Sequence, residues 1–299
     1  GSTHPERDAK TFVEYLHKVK ENTDRNFAVN TPICSEKTSP KLALETHDLL
    51  IRAAVEAKQK DPELRKRLVL YITSGGSPVK HHKMIKDAGF IHFHLAGSTR
   101  HAKLSEELGL DGIVASGYEM GGHTHLPDRA MHTFIIVPSI AQAVKIPVIA
   151  SGGICDAATF VAALAMGAVG VQMGTRFITT KECVFHENYK KFIVNAGEYS
   201  DIVVPSYIAP ARALKNPGAY KIIERQAMVD RGELDATEEG RYCEEALKAV
   251  QRSGDTEDGI IAAGQVSSRI RDIPTVREVI ESIIEGAEKI IGDLQQKIA

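Results

Sequence analysis

Ile146-Pro-Val-Ile-Ala-Ser-Gly-Gly-Ile154 and Gly170-Val-Gln-Met-Gly-Thr-Arg176 are the two stretches that decide the fold of this chain. Each is a short apolar run that enters a glycine-bearing loop and then, by its pattern, a helix start. Glycine lets main-chain N–H groups approach an anion closely, and helix N-termini favour negative charge. The two stretches therefore predict a phosphate site, against the alternative that these glycines only form tight turns.

The same alternation of strand and helix extends upstream. The predicted strands lie at 26–30, 67–73, 90–94, 112–115, 148–151 and 169–174. The predicted helices include 42–60, 80–88, 99–108, 134–144 and 157–166. This order favours an α/β fold with a parallel sheet, specifically a (β/α)8 TIM barrel, with a doubly wound open sheet as the alternative. Because a barrel needs eight strands, we expect two βα units to precede Gly1, in a longer natural chain or a partner.

The pattern changes after about Lys181 to polar segments with helical spacing. We predict three regions: a βα barrel at 1–190, a helical lid insertion over one end of it at 191–265, and a C-terminal helical segment at 266–299. In this last segment, residues 276–298 carry an apolar stripe that should return to the barrel wall.

Composition narrows the class of protein. The 299 residues carry a formal net charge of -2, which gives no field to hold nucleic acid or an acidic membrane surface. The apolar runs are shorter than the ~20 residues that a membrane span needs. Four isolated cysteines, Cys34, Cys155, Cys183 and Cys243, indicate reduced thiols in a cytoplasmic protein. The expected partner is a small-molecule substrate, and a homodimer is left open.

Five sequence segments occur in one particular order along the chain. They are Phe27-Ala-Val-Asn30, Gly117-Tyr-Glu-Met-Gly-Gly-His123, the two glycine-bearing stretches and Ala263-Gly-Gln265. In this combination the chain resembles the FMN-dependent nitronate monooxygenase (2-nitropropane dioxygenase) family, which is related to the flavin-dependent enoyl-ACP reductases. The resemblance covers nearly the whole chain.

The resemblance implies FMN bound without a covalent bond at the C-terminal face of the barrel, with its phosphate on Gly152, Gly153, Gly174 and Thr175. The full set of implied cofactor contacts is Asn30, Glu119, Gly121, Gly122, Ser151, Gly152, Gly153, Met173, Gly174, Thr175 and Gln265. NAD(P)H is left open as the reductant.

His123 matches the active-site histidine of that family, which takes a proton from the carbon next to nitrogen. By itself, a histidine after two glycines is more often a surface loop residue. The role is chemically sensible, because an imidazole with a pKa of about 6.5 both accepts and donates a proton near neutral pH.

His125 is where this sequence departs from the family pattern, and we predict a residue at the rim that touches substrate or solvent. Ser74 is a second candidate for substrate contact, or merely part of a turn. His123 and His125, with His132 or Glu119, would form a metal site on a single loop. Since no second cluster supports that set, we predict no metal.

Other histidines and basic residues carry weaker signals. His81 and His82, and His92 and His94 on a predicted strand, invite metal hypotheses, but a hydrogen-bonded structural pair is favoured for His92 and His94. Arg212 and Lys215 lead into the predicted lid. They are expected to be solvated, with contact to a phosphate-bearing thioester or a nicotinamide cofactor as the alternative.

The leading functional hypothesis is therefore an FMN-dependent oxidoreductase of nitronate monooxygenase type that uses O₂. The alternative on the same barrel is NAD(P)H-dependent reduction of an enoyl thioester, enoyl-ACP or a quinone. A flavin-free phosphate-binding barrel and a non-catalytic subunit are lesser alternatives.

Overall fold

All six predicted strands are present in the structure, a computed structural model that describes residues 5–33, 41–125, 128, 130–206 and 209–298. Cys34 lies outside the described residues. The chain divides into a first unit of residues 1–114 with 143–147 and a second unit of residues 115–142 with 148–299.

The first unit contains neighbouring strands in the order β1-β2-β3-β4. They are β1 (Phe27–Ile33), β2 (Leu68–Gly75), β3 (Ile91–Ala96) and β4 (Gly112–Ser116), which begins in this unit. β1 pairs with β2 and β2 with β3, both in parallel register. The helices of this unit are α1 (Pro5–Asn22), α2 (Lys41–Lys60), α3 (Pro62–Arg67), α4 (Val79–Asp87) and α5 (Thr99–Leu108).

Apolar residues from these helices and from β2 form the core of the first unit. Leu16, Ile51, Leu64, Tyr71 and Ile85 are each at most 4% exposed and belong to one contiguous cluster. Removing this much apolar surface from water is the main force that orders the unit.

A buried polar cluster lies on β2 and β3 in the same unit. The Thr73 hydroxyl lies 2.9 Å from both His92 Nε2 and His94 Nδ1, and His92 Nδ1 lies 3.0 Å from His82 Nδ1. Burial lowers the pKa of His92 to about 3 and that of His94 to about 4, so both rings are neutral at pH 7. The predicted hydrogen-bonded structural pair is confirmed, and Thr73 joins its two members.

The second unit contains two separate sets of strands. β6 (Val148–Ser151) and β7 (Gly170–Gln172) pair in parallel. β5 (Gly122–His123), β8 (Asp201–Val204) and β9 (Ala211–Leu214) form an antiparallel sheet in the order β5-β9-β8.

Along the chain, the helices of the second unit lie before, between and after these strands. They are α6 (Thr133–Ala143), α7 (Ala157–Ala165), α8 (Thr175–Ile178), α9 (Glu187–Val194), α10 (Pro217–Asp230), α11 (Ala236–Ser253), a short 3₁₀ helix (Gln265–Ser268) and α12 (Val276–Ile298). The prediction of helical segments alone between 191 and 265 was wrong, because β8 and β9 lie there. Their short runs are stabilised by pairing with each other and with β5, which local periodicity does not reveal.

The α/β class and the parallel pairing of successive strands are confirmed. Closure into eight strands, the two preceding βα units and the lid stay predictions. Within the described residues, no helix combines the length and the apolar character that crossing a bilayer requires.

Candidate functional site

His123 lies on β5, at one edge of the three-stranded sheet. Gly122 is opposite Arg212 and His123 is opposite Ala211, and Thr124 N donates to Pro210 O at 2.7 Å. These main-chain contacts with β9 and the residue before it fix the backbone on both sides of the histidine. The side chain is exposed, and its Nε2 lies 3.4 Å from the Ser206 hydroxyl.

The imidazole of His123 is reachable from solvent, yet protein atoms surround it closely on its other sides. This partial burial lowers its pKa below the ordinary value of 6.5 because it disfavours the charged form. A ring that is neutral at pH 7 has a lone pair available for a proton. These two properties are compatible with the predicted role of His123 as a general base, which stays a prediction.

Arg212 fixes the loop that precedes His123. Its guanidinium is 2% exposed. Nη2 donates to Tyr118 O at 2.8 Å, Nε donates to Met120 O at 3.2 Å, and the group lies 4.5 Å from the centre of the Tyr118 ring. Asp201 on β8 forms an ion pair with Nη1. The expectation that Arg212 is solvated was wrong, because the loop carbonyls and a carboxylate together compensate its burial.

Gln265 fixes the same loop from a second direction. Its main-chain N donates to Glu119 O at 3.0 Å, and its side-chain Nε2 donates to Asp201 Oδ2 at 3.3 Å. Gln265 and Arg212 therefore share one carboxylate. The Ala-Gly-Gln segment thus contacts this loop, and the predicted contact of Gln265 with a cofactor stays a prediction.

Gly121 and Gly122 are required for different reasons. A Cβ on Gly121 would lie 2.4 Å from Gly264 N, so only glycine permits the close approach of the two main chains. Gly122 has open space around it but a φ of 70°, in the left-handed region that side chains rarely adopt. We predicted that both glycines give clearance beside a flavin, and the structure shows that Gly121 gives clearance beside Gly264.

The loops after β6 and β7 leave the same edge of a parallel pair, since Ser151 is opposite Gln172. Gly152 and Gly153 both have positive φ, 88° and 74°. The N–H groups of Gly152, Gly153 and Gly174 donate to no acceptor among the residues that the structure describes. Successive unpaired N–H groups in left-handed backbone form an anion-binding concavity, so these residues fit a phosphate group.

Glu119 connects the glycine loop after β6 to the start of α6. Its Oε2 accepts from Thr133 N at 3.0 Å and lies 2.8 Å from the Thr133 hydroxyl, which is also 2.9 Å from Gly152 O. Its Oε1 pairs with His132 Nδ1 at 3.1 Å. The carboxylate of Glu119 thus holds protein groups, and its predicted contact with a cofactor stays a prediction.

His125 and His123 have different hydrogen-bond partners. It is half-buried, and its Nε2 lies 3.0 Å from Ser116 O. No three His, Cys, Asp or Glu side chains in the described part of the chain are grouped as a metal site requires. Contact of His125 with substrate stays a prediction.

The remaining predicted contacts are spread over both units. Asn30 is exposed on β1, and Ser74 is half-buried near the end of β2. In the second unit, Ser151 ends β6, Met173 follows β7, and Thr175 Oγ1 accepts from Gly264 N at 2.9 Å. Thr175 therefore anchors the Ala-Gly-Gln segment next to the glycine loops.

Sequence reasoning missed Asp201, Thr133 and Ser206 and misjudged Arg212. A weak signal existed, because Arg212 lies in an alternating Ala-Arg-Ala-Leu run and Asp201 precedes three apolar residues. Both stretches are short strand patterns in which a charged residue adjoins apolar ones. A charged side chain that points into the protein from such a strand predicts an ion pair.

An exposed histidine and a glycine loop with positive φ lie in the same unit of this α/β fold, an arrangement that suits an enzyme acting with a phosphate-bearing group. The chain matches the nitronate monooxygenase family over residues 9–286 and belongs to that family. The resemblance predicted from the motifs is therefore confirmed.

Individual relatives are distant but cover most of the chain. The chain is 28% identical to the (3aS,4S,5R,7aS)-5-hydroxy-7a-methyl-1-oxo-octahydro-1H-indene-4-carboxyl-CoA dehydrogenase of Rhodococcus jostii (strain RHA1), over 93% of this chain and 82% of that protein. It is 28% identical to a probable nitronate monooxygenase of Staphylococcus aureus (strain MSSA476), over 91% of this chain and 82% of that protein. The structure of FabK from Thermotoga maritima superimposes with a TM-score of 0.82 at 28% identity, over 97% of this chain and 84% of that chain. A monooxygenase and a dehydrogenase are both oxidoreductases, and the protein is an enzyme of that class.

Proposed function

We propose that the protein is an FMN-dependent oxidoreductase of nitronate monooxygenase type, in which His123 takes the proton from the carbon next to a nitro group. One observation carries the proposal. His123 is exposed and neutral on a backbone fixed by β9, and the same unit contains the N–H groups of Gly152, Gly153 and Gly174, which donate to no acceptor in the described part of the chain.

The phosphate of FMN would bind to these N–H groups and to Thr175. Main-chain donors suit this task because they carry no proton that titrates and lose little entropy on binding. When bound, the flavin supplies the electron-accepting chemistry, with O₂ as the final acceptor.

The chain's own contribution is the proton transfer. The neutral imidazole of His123 takes the proton, the electron pair of the C–H bond moves onto the nitro group, and His123 becomes an imidazolium. The Ser206 hydroxyl, 3.4 Å from Nε2, can accept a hydrogen bond from that nitrogen. Arg212 and Gln265 keep the preceding loop in place while the charge on the ring changes.

The second candidate is NAD(P)H-dependent reduction of an enoyl thioester. Its support is the Rhodococcus jostii relative, whose name makes it a dehydrogenase of a carboxyl-CoA compound. In this reaction His123 would donate a proton instead of taking one.

Two assays on the purified yellow protein separate the candidates. Nitronate-type oxidation predicts O₂ uptake with neutral nitroalkanes and with their nitronates, and no need for NAD(P)H. NADPH or NADH consumption with crotonyl-CoA, without activity on nitronates, would establish the second candidate instead. A colourless protein that takes up no FMN would refute both.

A further inference from the structure

A cavity of about 650 Å³ lies in the second unit, outside the glycine loops. It is formed by α9, the segment before β8 and the residue after β9. Its lining includes Asn188, Lys191, Phe192, Asn195, Tyr199 and Lys215. We propose that this Lys191–Lys215 cavity binds the phosphorylated adenosine end of a co-substrate, either the 3′-phosphoadenosine of a coenzyme A thioester or the 2′-phosphoadenosine of NADP(H).

The charge of the cavity favours an anion. Lys191 and Lys215 line it, no carboxylate does, and neither lysine has a carboxylate partner among the described residues. Lys215 Nζ donates to Tyr199 O at 2.7 Å and keeps two further N–H donors. Two unneutralised ammonium groups around one cavity suit a phosphate.

Three of the carboxylates close to the cavity in sequence are engaged elsewhere. Glu187 pairs with Lys190 at 3.0 Å, and Asp258 pairs with Lys221 at 3.0 Å. Asp255 accepts from the main-chain N of Glu257 and of Asp258. They therefore leave the two lysines available.

The uncharged lining suits a purine. Tyr199 is 84% exposed and has a φ of 59°, a left-handed conformation that residues other than glycine rarely adopt. Its carbonyl is held by Lys215, and Ser200 O accepts from Lys215 N at 2.7 Å, so the unusual backbone is fixed on one side. An aromatic face that protrudes from a fixed backbone is a stacking surface for a base, and the amides of Asn188 and Asn195 match the donor and acceptor edge of adenine.

The position of the cavity fits a co-substrate whose other end reaches His123. Ala211 is opposite His123, and Lys215 follows four residues later along the extended chain of β9. At the rise of a strand this separation is about 13 Å, which a pantetheine arm or a dinucleotide can span. The inference rests on the second candidate function, in which a phosphate-bearing co-substrate, the thioester or NADP(H), brings its reacting group to His123.

Binding measured without turnover tests the proposal. The purified flavin-containing protein is titrated calorimetrically with 3′,5′-ADP, with 2′,5′-ADP and with 5′-AMP as the probe that lacks the second phosphate. We expect one or both bisphosphates to bind about tenfold more tightly than 5′-AMP, and the preferred isomer to identify the source. Absence of binding by both at millimolar concentration would overturn the proposal.

Variants locate the binding. Lys191→Gln and Lys215→Gln should each weaken the bisphosphate about tenfold, while Lys289→Gln on the exposed surface of α12 should not. Tyr199→Gly removes the ring and suits the left-handed backbone, so it should weaken binding without loss of folding. Unchanged affinity in all three cavity variants would also overturn the proposal.

Two outcomes separate this inference from the proposed function. If the protein oxidises nitronates but binds no nucleotide, this inference alone is refuted. If it binds nucleotide but has no oxidoreductase activity, the proposed function alone is refuted.

Discussion

Arg212 lies 4.5 Å above the ring of Tyr118 and donates to the Tyr118 carbonyl at 2.8 Å, although 94 residues separate the two in sequence. The contact connects β9 to the loop that leads into His123. Since Arg212 also pairs with Asp201, the position of the candidate base depends on a buried charge pair in another part of the unit.

Replacing Arg212 with alanine should be strongly destabilising. The change removes the cation that pairs with Asp201, whose side chain is 16% exposed. It also removes the hydrogen-bond donor to two main-chain carbonyls of the loop. Breaking a buried pair in this way costs about 3–5 kcal/mol, which urea unfolding would measure. Arg231→Ala is the matched control, because Arg231 pairs with Glu233 on the exposed surface, where solvent screens the pair, and the change should leave the unfolding midpoint almost unchanged. Equal, small effects of the two variants would show that Arg212 does not support the loop.

Gly121→Ala should impair the site through the main chain. The added Cβ would lie 2.4 Å from Gly264 N, so the loop and the Ala-Gly-Gln segment would have to separate. We expect a lower melting temperature together with a lower kcat/KM. Gly292→Ala is the control, since that glycine lies in α12 with nothing within 4 Å, and alanine there should stabilise the helix by about 0.5–1 kcal/mol. A Gly121→Ala enzyme with normal stability and activity would contradict the close approach.

The elements with an apolar run and a clear boundary could be predicted from sequence. β6 and β7 are short buried runs that end at glycine, and α12 carries an apolar stripe, so local periodicity sufficed. The order of the motifs identified the glycine loops, His123 and Gln265 as candidate site residues. These features depend on residues that are close together in the chain.

The antiparallel sheet and the support of the candidate site could not be predicted in this way. β8 and β9 are four residues each, and the polar, proline-containing chain around them resembles a loop. They become strands because each pairs with a distant partner. For the same reason the sequence predicts a solvated Arg212. The main-chain carbonyls and the carboxylate that permit its burial contact it only when the chain folds.

The buried histidines of β3 should make the first unit sensitive to acid. The pKa values of about 3 for His92 and about 4 for His94 lie below the unfolded value of 6.5. The unfolded chain therefore binds protons first as the pH falls, so stability is full above pH 6.5 and is lost between pH 6.5 and about 4 for His94, and between pH 6.5 and about 3 for His92. At pH 5 the loss should be about 2 kcal/mol for each histidine.

Proton NMR titration of the imidazole signals tests this assignment directly. In the folded protein both rings should stay neutral down to pH 5. A midpoint near 6.5 for His92 or His94 would contradict their burial around Thr73.

The most direct test of the central claim is the His123→Asn enzyme, compared with the native protein for bound FMN and for kcat/KM with a neutral nitroalkane across pH. Asparagine keeps a polar side chain on β5 but cannot take the proton. We predict an unchanged flavin content and a loss of kcat/KM of about 10²-fold or more. In the native enzyme, kcat/KM should fall only below pH 6.5, since protonation of His123 removes the base and its pKa is lowered. A variant that retains both flavin and native kcat/KM would contradict the role of His123.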